Sequence, residues 1–228
     1  MKDPQGGAVV TREHPTPAQL PLRERKKLRT RQALVDTALE LFTERGFENV
    51  TLDALCDAVD VSKRTFFRTF GSKEDAALAP LHDLWAAFLE ELEDVEPTGG
   101  PAFELLEGVL LTALDRMGTD GWAERLRLSR RLTARTPSME AHGLAFCNRT
   151  NAVIVAVMQR RFDLGGPPDP YALRPRLAVD LLAAAFHRAL ERWVADPSAA
   201  AGPERLADAL RAACAAVPES LALPAHPR

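Results

Sequence analysis

Apolar residues along this chain recur at three- and four-residue spacing, and each run is cut by Gly, Pro or a capping Ser or Thr; no segment shows the β-branched alternation of a strand. A chain patterned this way buries its apolar stripes by packing helix on helix, so the fold is predicted to be all-α. The first run, Leu28, Val35, Ala38, Leu39 and Phe42, predicts a helix over 24–45 closed by Gly46. Thr51 is placed to cap a short helix with Leu52, Leu55, Cys56 and Val59 that ends near Asp60. Ser62 is placed to cap a second, KRTFFRTF, that stops at Gly71, and Ser72 a longer one reaching about 95. After the PTGG at 97–100, five further stretches over 101–118, 122–135, 138–162, 171–195 and 203–216 bring the helices to nine.

The 228 residues suffice for one large domain or a small one joined to a larger one, and 46% hydrophobic composition can fill a core without disulfide staples. The expected division is a flexible arm over 1–22, dotted by Pro4, Pro15, Pro17 and Pro21, then units over 23–71 and 72–217 and a tail over 218–228. No apolar run is long enough to span a membrane, and the polar N-terminal segment lacks the apolar stretch of a secretory peptide, which predicts a cytoplasmic protein with no membrane partner. Cys56, Cys147 and Cys214 are widely spaced and form no metal-ligand pattern, so no metal site and no cofactor is expected, and the thiols should be buried and inert.

Net charge is −3, which excludes a wholly basic nucleic-acid coat, but the charges are not evenly spread. Residues 23–73 carry 11 basic and 8 acidic side chains, whereas 74–228 carry 16 basic and 22 acidic. The basic excess sits in RERKKLRTR at 23–31 and VSKRTFFRTFGSK at 61–73. Such an asymmetry predicts an anion-binding head on an acidic body.

The head also has the right helix order. A short helix, a turn of about four residues and a second short helix with a basic outer face form a helix-turn-helix, whose second helix enters the major groove of DNA. Lys63, Arg64, Thr65 and Arg68 are the groove-facing candidates, since Arg and Lys donate to guanine O6 and N7 and Thr meets either a base edge or a thymine methyl. Thr51, Ser62, Phe67 and Lys73 are expected to position the helix on the phosphate backbone, and Arg29 belongs to the upstream basic stretch that could follow the backbone or enter a minor groove. Double-stranded operator DNA is therefore the expected partner.

The segment GFENVTLDALCDAVDVSKRTFFRTFGSKEDA resembles the DNA-binding domain of the TetR family of bacterial transcriptional regulators. The family pattern is met by Gly46-Phe47, Thr51, Val61-Ser62, Phe66-Phe67, and Phe70 followed by Lys73-Glu74. Two positions depart from it: Asp60 stands where the turn usually has Gly, and Phe67 where a Tyr commonly offers its hydroxyl to a phosphate. The resemblance implies a homodimeric, ligand-responsive repressor of about nine helices, with a C-terminal domain for a small-molecule effector and the last two helices for dimerisation.

For that effector the residues themselves offer Phe103, Leu106, Leu110, Trp122, Phe146 and Met158 as apolar lining, with Arg127, Arg130 and His142 as polar contacts. LRLSRRLTARTPSM and LLAAAFHRALERWVAD are similar to a subgroup whose C-terminal domain is described as acyl-CoA-like ligand-binding, which implies a mainly apolar effector with an anionic end. Leu177, Leu181, Ala184 and Arg188, with Leu206, Leu210 and Ala213, form apolar faces at helical spacing and are the dimer candidates. GxSxG, GxxxxGK[ST] and HExxH are all absent, so no enzyme is expected. The competing expectation is an all-helical interaction module whose basic head meets another anionic surface.

Overall fold

The computed structural model describes residues 21–97, 99–118, 121–167, 171–196 and 202–225; the arm of residues 1–20 lies outside them. Nine α-helices and one short 3-10 turn, Phe47–Asn49, account for the regular structure among the described residues, and no strand does. The helices are α1 (Leu22–Arg45), α2 (Leu52–Ala58), α3 (Lys63–Thr69), α4 (Lys73–Asp94), α5 (Ala102–Arg116), α6 (Trp122–Thr133), α7 (Pro137–Arg161), α8 (Leu173–Ala195) and α9 (Pro203–Leu221).

The capping residues legible in the sequence set the head's boundaries. Thr51 Oγ1 accepts the Ala54 N–H, Ser62 Oγ the Thr65 N–H and Ser72 Oγ the Asp75 N–H, at 3.1 to 3.2 Å, each satisfying a donor that the first helical turn leaves orphaned. Asp60 has φ 54°, the left-handed conformation that a Gly would hold freely and that Asp adopts more readily than most residues. Several boundaries move, and two of the shifts cross the expected domain limits. α1 begins at Leu22, inside the expected arm, and Leu28 on its protruding first turns is exposed rather than buried. α9 runs to Leu221, past the expected end at 216 and into the expected tail, because Pro218 near its C-terminus removes only one intrahelical bond.

Two hydrophobic clusters organise the chain. The first gathers α1, α2 and α3 through Leu34, Leu39, Phe42, Leu55, Phe66 and Phe70, and takes in Ala76 to Ala79 of α4. It also includes Leu132 from the end of α6 and Met139 from the start of α7, so the α6–α7 corner forms part of the head's interior. The second fills the space between α4, α5, α7, α8 and α9 and is centred on Phe88, Leu106, Leu110, Leu114, Ile154, Leu182 and Leu210. α4 crosses both. Inside it, Pro80 lacks an N–H, and its carbonyl accepts the Trp122 Nε1–H from α6 at 2.9 Å in a buried contact. Arg31 of α1 holds Asp83 of α4 through two bonds of 3.0 and 2.7 Å, and Arg125 of α6 reaches Asp36 of α1 at 3.5 Å.

Candidate nucleic-acid interface

α3 is seven residues long, too short to persist on its own, and the surrounding core holds it by one face. Phe66 is 0% exposed and Phe70 is buried beside it, ring centroids 5.8 Å apart. The opposite face carries Lys63, Arg64, Phe67 and Arg68, all exposed, with Thr65 at its flank. Phe67 is 56% exposed, an apolar ring held edge-on to Phe66 at 5.6 Å.

The basic side chains are not equivalent. Among the described residues Arg64 and Arg68 carry no hydrogen bond or ion pair, and the same holds for Arg29 on α1. Lys63 is paired with Asp53 of α2 at 2.7 Å, and that hydrogen bond raises its pKa. Thr65 Oγ1 lies 3.1 Å from Ser62 Oγ, so the two hydroxyls form one unit at the start of α3.

Lys73 differs from its expected role. Its ammonium donates to the carbonyls of Phe47 and Val50, at 3.2 and 2.7 Å, and stands 4.5 Å above the Phe47 ring. It fastens the α1–α2 connection to α4 and is not a free cation facing outward, because the 3-10 turn and the residue after it present the Phe47 and Val50 carbonyls to it.

A cleft of about 720 Å3 runs between the first turns of α1 and the end of α3, lined by Leu22, Arg23, Glu24, Lys26, Lys27, Thr30, Arg68 and Thr69. Four of these eight residues are cationic. The composition of RERKKLRTR announced its charge, whereas Thr69 and the junction with Arg68 could not be read from it, since they depend on how α1 crosses α3.

The effector candidates separate into groups. Leu106, Leu110, Trp122 and Met158 are all packed in the second cluster, with Phe103 and Phe146 at its margin. Arg127 is buried, donates to the Asp196 carbonyl at 3.3 Å and lies 4.2 Å over the Trp193 ring. Arg130 is half-buried and, among the described residues, holds no hydrogen bond or ion pair; burial lowers its pKa. His142 points elsewhere: its Nε2 lies 2.7 Å from Asp75 Oδ1 at the start of α4.

The dimer candidates divide by helix. On α8, Leu177 is 51% exposed, Ala184 and Arg188 are exposed and Leu181 is half-buried, with Leu173 extending the same exposed stripe. On α9, Leu206 and Leu210 are 0% exposed and Ala213 packs against the same core. Leu206 and Leu210 therefore face the chain's own core. An amphipathic stripe does not say what it packs on, and here α9 turns it inward onto α5 and α8.

His82 of α4, seven residues or about two helical turns beyond Asp75, stacks on Phe146 at 4.0 Å. Burial pushes its imidazole down to about 4, against the pull of Asp75 in the other direction. The unfolded chain takes up this proton near 6.5 and the folded chain only near 4, so unfolding gains a proton between them. Stability is expected to fall as pH drops through that window. His82→Phe, which keeps a ring on Phe146, should flatten the slope; an unchanged slope in urea titrations from pH 7 to 4 would count against this account. All three thiols are free, and burial raises each pKa, that of Cys214 to about 12, which leaves them protonated at neutral pH.

An outward pair of arginines, without a partner among the described residues, on the second helix of a capped helix-turn-helix set on a larger helical body is the arrangement of a DNA-binding transcriptional regulator. Residues 34–79 match the model of the bacterial regulatory proteins of the tetR family. The chain is 34% identical over 184 residues to the HTH-type transcriptional regulator TcmR of Streptomyces glaucescens, covering 78% of this chain and 79% of that one. Among solved structures, a chain from Syntrophomonas wolfei superposes with a TM-score of 0.55 at 16% identity, over 83% of this chain and 95% of that one. FadR of Thermus thermophilus, a TetR-family transcriptional repressor in complex with lauroyl-CoA, does so with 0.50 at 19% identity, over 87% and 98%. The protein belongs to the TetR family of transcriptional regulators. No helix among the described residues is long and apolar enough to cross a membrane.

Proposed function

We propose that the protein is a homodimeric repressor that reads a palindromic operator with α3 and leaves it when a mainly apolar small molecule with an anionic end occupies the body. The observation that carries this is the outer face of α3: Arg64 and Arg68 are exposed and unpaired while Phe66 and Phe70 fix the helix from behind. Arg64 and Thr65 read base edges, and Arg68, Arg29 and the lysines of the α1 cleft meet phosphates. Lys63 exchanges Asp53 for DNA as the two surfaces approach. Phe67 lies against the sugar-phosphate backbone, and Thr51 and Ser62 hold the two short helices in register by capping them.

The outward stripe of exposed Leu173, Leu177, Ala184 and Arg188 with half-buried Leu181 on α8 supports a two-fold contact with a second copy. Two-fold symmetry sets the two α3 helices about 34 to 36 Å apart, one DNA turn. The lauroyl-CoA bound by the Thermus thermophilus repressor supports an effector of that chemistry here. In this chain, Arg127 and Arg130 flank the apolar interior around Leu106, Leu110, Trp122 and Met158. A ligand that fits better when the heads are wrongly spaced shifts the population away from DNA. Residues 23–71 serve as the reading head and 72–217 as the effector-binding and dimerising body, working in the cytoplasm where the operator is.

Selection of bound duplexes from a random pool tests the proposal. A palindrome with half-sites one turn apart is expected, and absence of any enriched sequence overturns it. Against that operator, Arg64→Ala should cost about 1–3 kcal/mol and relax preference at one position of each half-site. Equal weakening on every sequence would make Arg64 a phosphate contact instead. A panel of fatty acids and acyl-CoAs that leaves Tm and operator affinity unchanged would remove the effector class.

A further inference from the structure

We propose that His142 is a positioning residue for operator reading: from the first turns of α7 it holds Asp75, and through Asp75 the Gly71–Ser72 turn that follows the recognition helix. The inference builds on the repressor reading above and assigns His142 to the joint between body and head.

The geometry is a three-way clasp on one residue, Asp75, through both carboxylate oxygens and its backbone N–H. Oδ1 of Asp75 lies 2.7 Å from His142 Nε2, and Oδ2 accepts the Gly71 N–H at 3.1 Å. The Asp75 N–H in turn goes to Ser72 Oγ at 3.1 Å, so the cap of α4, the α3–α4 turn and α7 share one residue. Gly71 is part of the fit: a Cβ there would stand 2.8 Å from Asp75 Oδ2. α3 ends at Thr69, two residues before that glycine, so a shift of Asp75 moves the end of the helix that carries Arg64 and Arg68.

α7 grips the head and α4 along one face, at positions 139, 142, 143 and 146, the spacing of neighbours on a helix surface. Met139 is 0% exposed in the head's own core. His142 follows one turn on, and Phe146 one turn further, stacked on His82 of α4. A molecule that displaces α7 at Phe146 therefore moves His142 with it. The His142 and Asp75 side chains are 29% and 27% exposed, so solvent screens the pair and its role is to hold geometry more than to add stability. Neither Arg64 nor Arg68 touches this joint, which is why its loss should be felt on DNA without removing a DNA contact.

The test uses the full chain with His142→Ala and His142→Gln, the second keeping an amide N–H able to reach Asp75. Amide hydrogen exchange reads the joint without DNA. In H142A the amides of Gly71 and Asp75, bonded to Asp75 Oδ2 and Ser72 Oγ, should exchange about tenfold faster while those of α8 keep their rates, and H142Q should return most of the protection. On the selected operator H142A should bind about tenfold more weakly, with affinity for random duplex within about twofold of wild type and H142Q close to wild type. Unchanged exchange at Gly71 and Asp75 in H142A overturns the inference, as does acceleration that includes α8, which would mean general loosening. Equal loss on operator and random DNA also overturns it. If the wild type selects no operator, the repressor reading falls, and the exchange result still decides the His142 joint.

Discussion

Phe66→Ala is expected to cost about 3–5 kcal/mol and to abolish operator binding although it removes no group that faces DNA. The ring is 0% exposed and is the central anchor of a seven-residue helix. Such a helix has no stability of its own, so its position depends on what it buries. Truncation leaves a cavity beside Phe70 in the cluster that α1, α2 and α3 share, which the capped turns on either side hold open against collapse. Phe67→Ala is the control: its ring is 56% exposed, and stability should change by no more than about 0.5 kcal/mol. Urea denaturation followed by tryptophan-independent circular dichroism measures both. A cost below about 1.5 kcal/mol for Phe66→Ala would mean that the cap residues, not the core, hold α3.

Lys73→Ala should cost on the order of 3 kcal/mol of stability and leave the salt dependence of DNA binding unchanged. The ammonium makes two charge-assisted bonds to the Phe47 and Val50 carbonyls, and cation–π attraction to Phe47 adds about 0.5–1 kcal/mol. Removing it leaves both carbonyls without that donor where the α1–α2 connection meets α4. The opposite result, unchanged stability with the slope of log K against log salt reduced by about 1, would restore Lys73 to the phosphate contacts expected from its sequence position.

Lys73 illustrates how far the sequence reaches. The pattern around it, Ser72 as a cap and Lys73-Glu74 after Phe70, located the start of α4 correctly. Its charge suggested DNA because local sequence has no record of a carbonyl 23 residues away. His142 is the parallel case in the body. A histidine among apolar neighbours read as an effector contact, and only the crossing of α7 over α4 brings it to Asp75. Leu206 and Leu210 show the same limit for interfaces: their spacing marked an apolar face, and the face is spent on the chain's own core.

Sequence by itself determined what is local: the run of nine helices among the described residues, the caps at Thr51, Ser62 and Ser72, and the short basic helix with its apolar back. These depend on hydrogen bonds and periodicities that span three or four residues, which a single stretch of chain contains. Tertiary structure decided which cations are free, which apolar faces remain outward and which residues join the head to the body. Those outcomes depend on crossings between helices far apart in the chain, where a partner is supplied by packing and leaves no mark on the residues beside it.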